Sequence, residues 1–220
     1  MNSTKKALVL FSGGKDSSAA VVEMIRKGYT ITPFTFQIGK GELVGPNGDS
    51  APDIRYLELL KAFPQKIDKR VITGNNYLIR KLAIEKTNDT HVVYPLALLL
   101  AFLADAIIYC LKNDIHDIAC GYSAYQAKED RYIEQRDDFV EYTQTFLKEY
   151  HIVFHTPVIK NTKLEVMDIL DQRGISSNSL ESKAMLGGIP FDVEKSLDFW
   201  EASIPICREY IKNRLTLPQN

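Results

Sequence analysis

An unbroken apolar stretch near the start of the chain constrains its fold more than any other sequence feature. Residues 7–11 are all apolar, which is typical of a strand buried on both faces. Such strands occur in parallel sheets whose two sides are covered by helices. Residues 17–27 then have helical spacing and end at Gly28, a residue suited to the position after a helix. The chain therefore opens with a strand, a short turn and a helix.

Strand and helix signals continue to alternate along most of the chain. Further strands are predicted at residues 30–36, 65–73, 117–120 and 152–156, and further helices at 53–63, 94–111, 134–150, 163–172 and 192–214. This alternation implies crossover connections and an α/β fold built on a parallel sheet. Ligands of such sheets bind beyond the carboxyl ends of the strands. We expect a main domain over residues 1–175 and a small helical extension, residues 176–220, packed on it.

The composition argues against several kinds of partner and location. The 220 residues carry a formal net charge of −1, which gives no field that would attract nucleic acid or a membrane surface. Residues 95–110 are apolar but are interrupted by Asp105, and they are too few to span a bilayer. The apolar run at residues 7–11 is too short for the core of a signal peptide. We therefore expect a cytoplasmic protein without a membrane partner; the net charge does not support a nucleic-acid partner such as tRNA, although a local basic face would still allow one.

The three cysteines are expected to be small buried apolar residues. Cys110, Cys120 and Cys207 are scattered and form no Cys-x-x-Cys pair. A disulfide framework does not fit their number or a cytoplasmic location, and a site of four thiolates cannot form within one chain.

The turn between the first strand and the first helix has the composition of an anion site. It reads Ser12-Gly13-Gly14-Lys15-Asp16-Ser17 and is followed by Ser18. Adjacent glycines let the backbone approach a ligand closely, and the helix N-terminus attracts anions. Lys15 can neutralise phosphate oxygens, the serine hydroxyls can donate to them, and a carboxylate at Asp16 beside phosphates implies a bridging Mg²⁺. The structural alternative is a tight turn with a helix cap; the spacing does not match the Walker A pattern.

These residues resemble the signature of the PP-loop ATP pyrophosphatase superfamily, Ser-Gly-Gly-x-Asp-Ser at the end of the first strand. The resemblance implies a doubly wound five-stranded parallel sheet of the adenine nucleotide alpha hydrolase-like kind. It also implies ATP with Mg²⁺, cleavage between the α and β phosphates, an adenylylated substrate and release of pyrophosphate. Members include tRNA thiolases, lysidine synthetases, amidating synthetases and 7-cyano-7-deazaguanine synthase.

Three further segments resemble the deazaguanine synthase branch. They are Thr35-Phe36-Gln37-Ile38-Gly39, the stretch from Gly121 to Gln135-Arg136-Asp137-Asp138-Phe139, and Thr156-Pro157 followed by Lys163-Leu164-Glu165-Val166. The resemblance implies that Phe36 and Gly121 lie at the nucleotide and that Tyr122 and Arg136 lie at the substrate. It also suggests Lys163 as a catalytic residue, since it stands at a helix N-terminus suited to phosphate.

Each of these residues also has a structural interpretation. Lys163 can be an ordinary solvated lysine, and Arg136 can be exposed rather than paired with a substrate carboxylate. Tyr122, like Tyr125 and Tyr132, can pack in a lid instead of stacking on a planar base. For Glu165 we favour a capping box with Thr162 over catalysis.

Two departures from the family pattern put the substrate in question. Residues 176–188 contain no cysteine or histidine, so we expect no zinc, and Tyr94-Pro95-Leu96 lacks the Arg-Asn of the family. We therefore predict a diverged relative that adenylylates a small-molecule carboxylate, which then reacts with ammonia or an amine. The alternatives are a tRNA-modifying or sulfur-transfer enzyme that uses Cys120, and a nucleotide-binding subunit without turnover. Apolar residues between 191 and 211 either close the core or form a homodimer face.

Overall fold

A five-stranded parallel sheet forms the centre of the protein. The computed structural model describes residues 5–37, 50–74, 76–86, 94–127, 133–178 and 192–216. The strands are β1 Lys6–Leu10, β2 Thr30–Phe36, β3 Val71–Thr73, β4 Asp117–Ala119 and β5 Val153–His155. Their order is β3-β2-β1-β4-β5, and every neighbouring pair is parallel. The predicted fold class is confirmed.

Helices connect the strands and cover both faces of the sheet. They are α1 Lys15–Arg26, α2 Ala51–Ala62, α3 Asn76–Lys86, α4 Tyr94–Lys112, α5 Ala124–Ala127, α6 Asp137–Lys148, α7 Lys163–Asp171 and α8 Val193–Thr216. Helices α3 and α5 were not predicted. The predicted helix at 134–150 is divided, because a 3₁₀ turn at Ile133–Gln135 ends before Arg136, which is the N-cap of α6. The third strand, β3, is shorter than the predicted 65–73. Before it begins, Ile67 forms an isolated bridge with Ile31 of β2.

Alternate side chains of β1 supply the two hydrophobic layers. Leu8 and Leu10 pack with α3, α4, α6 and α8, whereas Ala7, Val9 and Phe11 pack with α1, α2 and α7. This is the period of two expected of a strand buried on both faces. Helices α1 and α4 therefore cover opposite faces. The turn that precedes α1 directly follows β1, so it lies at the carboxyl edge of the sheet.

The long C-terminal helix α8 closes the layer that contains α4. Its buried residues include Phe199, Trp200, Ile204, Cys207 and Ile211. Of the two predicted roles for this apolar segment, the structure shows core closure; a homodimer face and the domain boundary at residue 175 stay predictions. Within the described part of the chain, none of the helices combines the length and apolar character of a membrane span.

Asp105, the charge within the apolar helix α4, ties three elements together. Its carboxylate accepts hydrogen bonds from Thr73 Oγ1 at 2.6 Å and from the Tyr210 hydroxyl at 3.3 Å. It therefore links β3, α4 and α8, and these bonds compensate for partly burying a carboxylate. A groove of about 700 Å³ beside these residues follows the edge strand β3, and its lining does not include the turn at residues 12–18.

Candidate active site

The turn at Gly13 and Gly14 requires glycine for two separate reasons. Gly13 has a φ of +79°, and a β-carbon there would lie 2.4 Å from the Pro52 nitrogen. Gly14 is the N-cap of α1 and provides no side-chain cap. By contrast, α2 and α7 each begin with a complete capping box. The first-turn amides of α1 are therefore left uncapped by any N-cap side chain, as an anion site requires.

The serine hydroxyls shape this turn. Ser17 Oγ and Ser18 Oγ donate to the Gly14 carbonyl oxygen at 3.0 and 2.8 Å. Ser12 Oγ accepts from the Gly14 amide at 3.2 Å and lies 3.2 Å from Ser17 Oγ. Ser12 is exposed, but Ser18 is completely buried. The Ser18 hydroxyl is thus directed into the turn, and its donation to phosphate stays a prediction.

Lys15 and Asp16 lie together at the start of α1. The Lys15 Nζ atom is 3.6 Å from Asp16 Oδ2 and 5.9 Å from the centre of the Tyr125 ring. Asp16 is buried, with 5% of its surface exposed. Its Oδ1 accepts from the Tyr125 hydroxyl, and its Oδ2 accepts from Gln126 Nε2 at 3.4 Å. A buried carboxylate is thus surrounded by donors supplied by α5.

Gly121 contributes to the site because, without a side chain, it allows two backbone segments to pack closely. A β-carbon at this position would lie 2.3 Å from the Ser17 nitrogen and 2.4 Å from the Asp16 carbonyl carbon. The backbone that follows β4 therefore packs directly on the first turn of α1. The family resemblance predicted Gly121 at the nucleotide; the structure brings it against the turn at residues 12–18, which we call the phosphate loop, as a packing contact.

Tyr122 and Phe36 are turned toward the core. Tyr122 has 9% of its surface exposed, and its ring packs edge-on against Phe154 at 6.0 Å. Its buried hydroxyl has no hydrogen-bond partner among the described residues, and burial raises its pKa well above the usual value. This position corresponds to the packing alternative for Tyr122, and its stacking on a base stays a prediction. The Phe36 ring lies 5.4 Å from that of Phe102 on α4, and Tyr132 falls outside the described residues.

Arg136 and Lys163 lie at the starts of α6 and α7. Arg136 Nε and Nη2 bind the two carboxylate oxygens of Asp138 at 3.2 Å each, and this pairing lowers the pKa of Asp138. Lys163 is the first residue of α7 and is exposed. The predicted capping box beside it is confirmed, since Thr162 and Glu165 exchange side-chain and backbone hydrogen bonds.

Arg55 is a supporting residue that sequence reasoning missed. Its guanidinium is fully buried, with Nε 3.5 Å from the Gly13 carbonyl oxygen and Nη1 2.7 Å from Glu58 Oε2. It also donates to the carbonyl oxygens of Ser176 and, at 3.0 Å, Asn178. Arg55 thus joins the phosphate loop to the segment that follows α7. An arginine on an amphipathic helix is usually exposed, so the sequence carried no signal for this role.

Comparison with known proteins now places this site in a family. A family model described as "Queuosine biosynthesis protein QueC" matches residues 6–182. The chain belongs to the QueC family. It is similar to the 7-cyano-7-deazaguanine synthase of Rhodopirellula baltica, with 26% identity over 189 residues, 77% of this chain and 72% of the relative.

Among solved structures, the chain is similar to a 4-thiouridine synthetase in complex with RNA and bound ATP. The TM-score is 0.62 at 14% identity, over 98% of this chain and 54% of that protein, so the chain spans about half of it. This likeness shows a shared fold. Together with the family match, it confirms the predicted resemblance to PP-loop ATP pyrophosphatases, and this QueC family member is an ATP-using enzyme of the PP-loop type.

In this QueC family member the cysteines are buried, as predicted. Burial raises the pKa of Cys110 and Cys207 to about 12 each and that of Cys120 further still. Next to Cys120 and Tyr122, burial also raises the pKa of Glu134 to about 7. Most of the cysteine-free segment 176–188 lies outside the described residues; among those described, His, Cys, Asp and Glu side chains form no metal-binding group of three or more.

Proposed function

We propose that this QueC family member uses ATP and Mg²⁺ to adenylylate a carboxylate of a small molecule. A carboxylate oxygen of the substrate attacks the α-phosphorus of ATP, and the bond from that phosphorus to the bridging oxygen breaks. Pyrophosphate leaves with the electron pair. Ammonia or an amine then attacks the acyl carbon of the mixed anhydride, releasing AMP and forming an amide. The relative named 7-cyano-7-deazaguanine synthase makes a carboxylated deazapurine the first candidate substrate.

The proposal rests chiefly on the uncapped start of α1, where Gly13, Lys15 and Asp16 meet. Backbone amides and a lysine that are fixed before the reaction can stabilise the charge that develops on a pyrophosphate leaving group. Asp16 offers carboxylate oxygens, the ligands that Mg²⁺ prefers, and Mg²⁺ would neutralise phosphate charge there. A carboxylate nucleophile is already ionised at neutral pH, so the reaction needs little general-base catalysis.

Sulfur transfer through Cys120 is the competing proposal, and burial argues against it. A nucleophilic or persulfide-carrying thiol needs an accessible position and a lowered pKa. Cys120 is only 2% exposed, and its pKa is raised by burial. A Cys120→Ala variant is therefore expected to retain turnover. Loss of turnover in a folded Cys120→Ala protein would favour sulfur transfer instead.

The main test is AMP formation from labelled ATP with a panel of carboxylated deazapurines, amino acids and tRNA. Lys15→Ala and Asp16→Ala are each expected to lower the rate by about 100-fold or more, the usual loss when a group that stabilises the transition state is removed. The matched controls are Lys27→Ala, at the other end of α1, and Asp171→Ala, at the exposed end of α7. Both controls should cleave ATP at the wild-type rate.

Two results would count against the proposal. Wild-type rates in both Lys15→Ala and Asp16→Ala would mean that the chemistry lies elsewhere. ATP binding without AMP formation across the whole panel would instead support a nucleotide-binding subunit without turnover. Thermal unfolding of each variant separates loss of chemistry from loss of fold.

A further inference from the structure

A chain of side-chain amides connects the 3₁₀ turn before α6 to the phosphate loop. Gln135 Oε1 accepts from the Ser123 backbone amide at 2.9 Å, and Gln135 Nε2 donates to Gln126 Oε1 at 3.1 Å. Ser123 Oγ also donates to Gln126 Oε1, at 3.1 Å. Gln126 Nε2 in turn donates to Asp16 Oδ2 at 3.4 Å. Ser123, Gln135 and Asp16 are all buried, and Gln126 between them is partly buried.

The direction of this chain is set by a backbone amide. The Ser123 N–H group can only donate, so the Gln135 atom facing it must be the carbonyl oxygen. Gln135 therefore directs its NH₂ group toward Gln126, and the side-chain oxygen of Gln126 accepts this hydrogen bond. The NH₂ group of Gln126 is then left facing Asp16. Neither amide can flip without placing two donors or two acceptors against each other.

We propose that Gln126 is a positioning residue for Asp16 and that Gln135 fixes the direction in which Gln126 donates. The inference rests on the proposed role of Asp16 at Mg²⁺ and ATP. A carboxylate has about four lone-pair sites. Tyr125 donates to Oδ1, Gln126 donates to Oδ2, and Lys15 Nζ lies 3.6 Å from Oδ2, so the carboxylate is held in one orientation while lone pairs remain for a cation.

Gln135 also lies next to the proposed substrate region. Gln135 immediately precedes Arg136, the N-cap of α6, in the segment that resembles the substrate region of the family. A shift of the 3₁₀ turn changes the position of Gln135, and through Gln126 it changes the donor that orients Asp16.

Gln135→Glu tests the direction of the chain with almost no change in side-chain size. At pH 8 the introduced carboxylate still accepts from Ser123, but it can no longer donate to Gln126. Gln126 must then flip and present its oxygen to Asp16, which converts an attraction into a repulsion. We expect kcat/KM for ATP to fall about 10- to 100-fold, as for loss of a hydrogen bond to a charged group, and the Mg²⁺ concentration for half-maximal rate to rise.

Acidification provides a readout that a merely structural role would not give. Once protonated, the introduced carboxyl can again donate to Gln126. The rate relative to wild type should therefore recover as the pH falls from about 8.5 to about 5.5. The other charged or titratable groups that face the chain, Lys15, Asp16, Tyr125 and Glu134, are present in both proteins. Gln126→Met removes the donor altogether and should not recover. Gln144→Glu, which adds the same charge to the exposed face of α6, should behave like the wild type.

The outcomes distinguish this inference from the proposed function. If Lys15→Ala and Asp16→Ala are inactive while folded Gln135→Glu has wild-type kinetics at pH 8, only the positioning role is wrong. A folded Gln135→Glu variant that loses activity without recovery at low pH also overturns it. Should Gln135→Glu fail to fold, the Mg²⁺ titration of Gln126→Met decides, and an unchanged Mg²⁺ requirement overturns the inference.

Discussion

Gly121→Ala tests whether the end of β4 sets the position of the phosphate loop. The new β-carbon would lie 2.3 Å from the Ser17 nitrogen, 2.4 Å from the Asp16 carbonyl carbon and 2.6 Å from the Asp16 carbonyl oxygen. Ordinary contact between such atoms is about 3.5 Å, so the two segments must separate by roughly 1 Å. All three neighbours are backbone atoms, and no change of rotamer can relieve the overlap.

The displacement should affect stability and activity to different extents. Overpacking of this kind costs about 1 to 3 kcal/mol of the free energy of unfolding. A shift of about 1 Å in groups that position a substrate costs about 100-fold in rate. We therefore expect Gly121→Ala to remain folded, to lose about 2 kcal/mol in urea unfolding, and to form AMP with kcat/KM lowered by about 100-fold.

Gly28→Ala is the matched control, because Gly28 follows the opposite end of α1. Gly28 has a φ of +93° with open space where a β-carbon would go. Alanine there costs about 1 to 2 kcal/mol through backbone conformation alone, and ATP cleavage should stay at the wild-type level. If Gly121→Ala and Gly28→Ala lose similar stability and both cleave ATP normally, the contact of Gly121 with α1 does not position the loop.

Two further predictions concern stability. Burial raises the pKa of Glu134 from 4.5 to about 7, so the folded protein binds this proton more tightly than the unfolded chain and loses stability as the pH rises through that window. Glu134→Gln should remove this pH-dependent loss of folding free energy, which is at most about 3 kcal/mol. The measurement is the urea unfolding midpoint of both proteins at about pH 5 and about pH 8. Arg55→Leu leaves the buried Gly13 carbonyl and the Glu58 carboxylate without this donor and should cost about 3 kcal/mol in thermal unfolding; Arg173→Leu, at an exposed arginine, should cost far less.

The parts of the site that could be predicted from sequence are those formed by neighbouring residues. The phosphate loop, the adjoining strand β1 and the capping box of Thr162 and Glu165 each depend on residues within one short segment. Local rules of backbone freedom and helix capping are sufficient there. The start of α6 was also present in the sequence, since Asp137 and Asp138 are typical of a first helical turn.

The other parts of the site depend on contacts between distant segments, or on a strand whose alternation of side chains continues past its last residue. Ile118, Cys120 and Tyr122 all belong to the α4 layer, so the alternation of β4 continues past its end and buries Tyr122. Extending the two-residue alternation from Ile118 and Cys120 predicts that Tyr122 is buried. Arg55 and Gln126 have no comparable signal, because their partners lie 42 and 110 residues away. Long-range packing decides such positions, and no local propensity encodes it.

The strand order explains why these distant residues meet. The chain places β2 and β3 on one side of β1 and then returns to place β4 and β5 on the other side. The loops that follow β1 and β4 therefore lie side by side at the switch point, where ligands of doubly wound sheets bind. A nucleotide held by the first turn of α1 must then lie close to Gly121 and to the α5 residues that contact Asp16. We accordingly expect acceptor selectivity to reside in the segment after β4, which can diverge while the phosphate loop is retained.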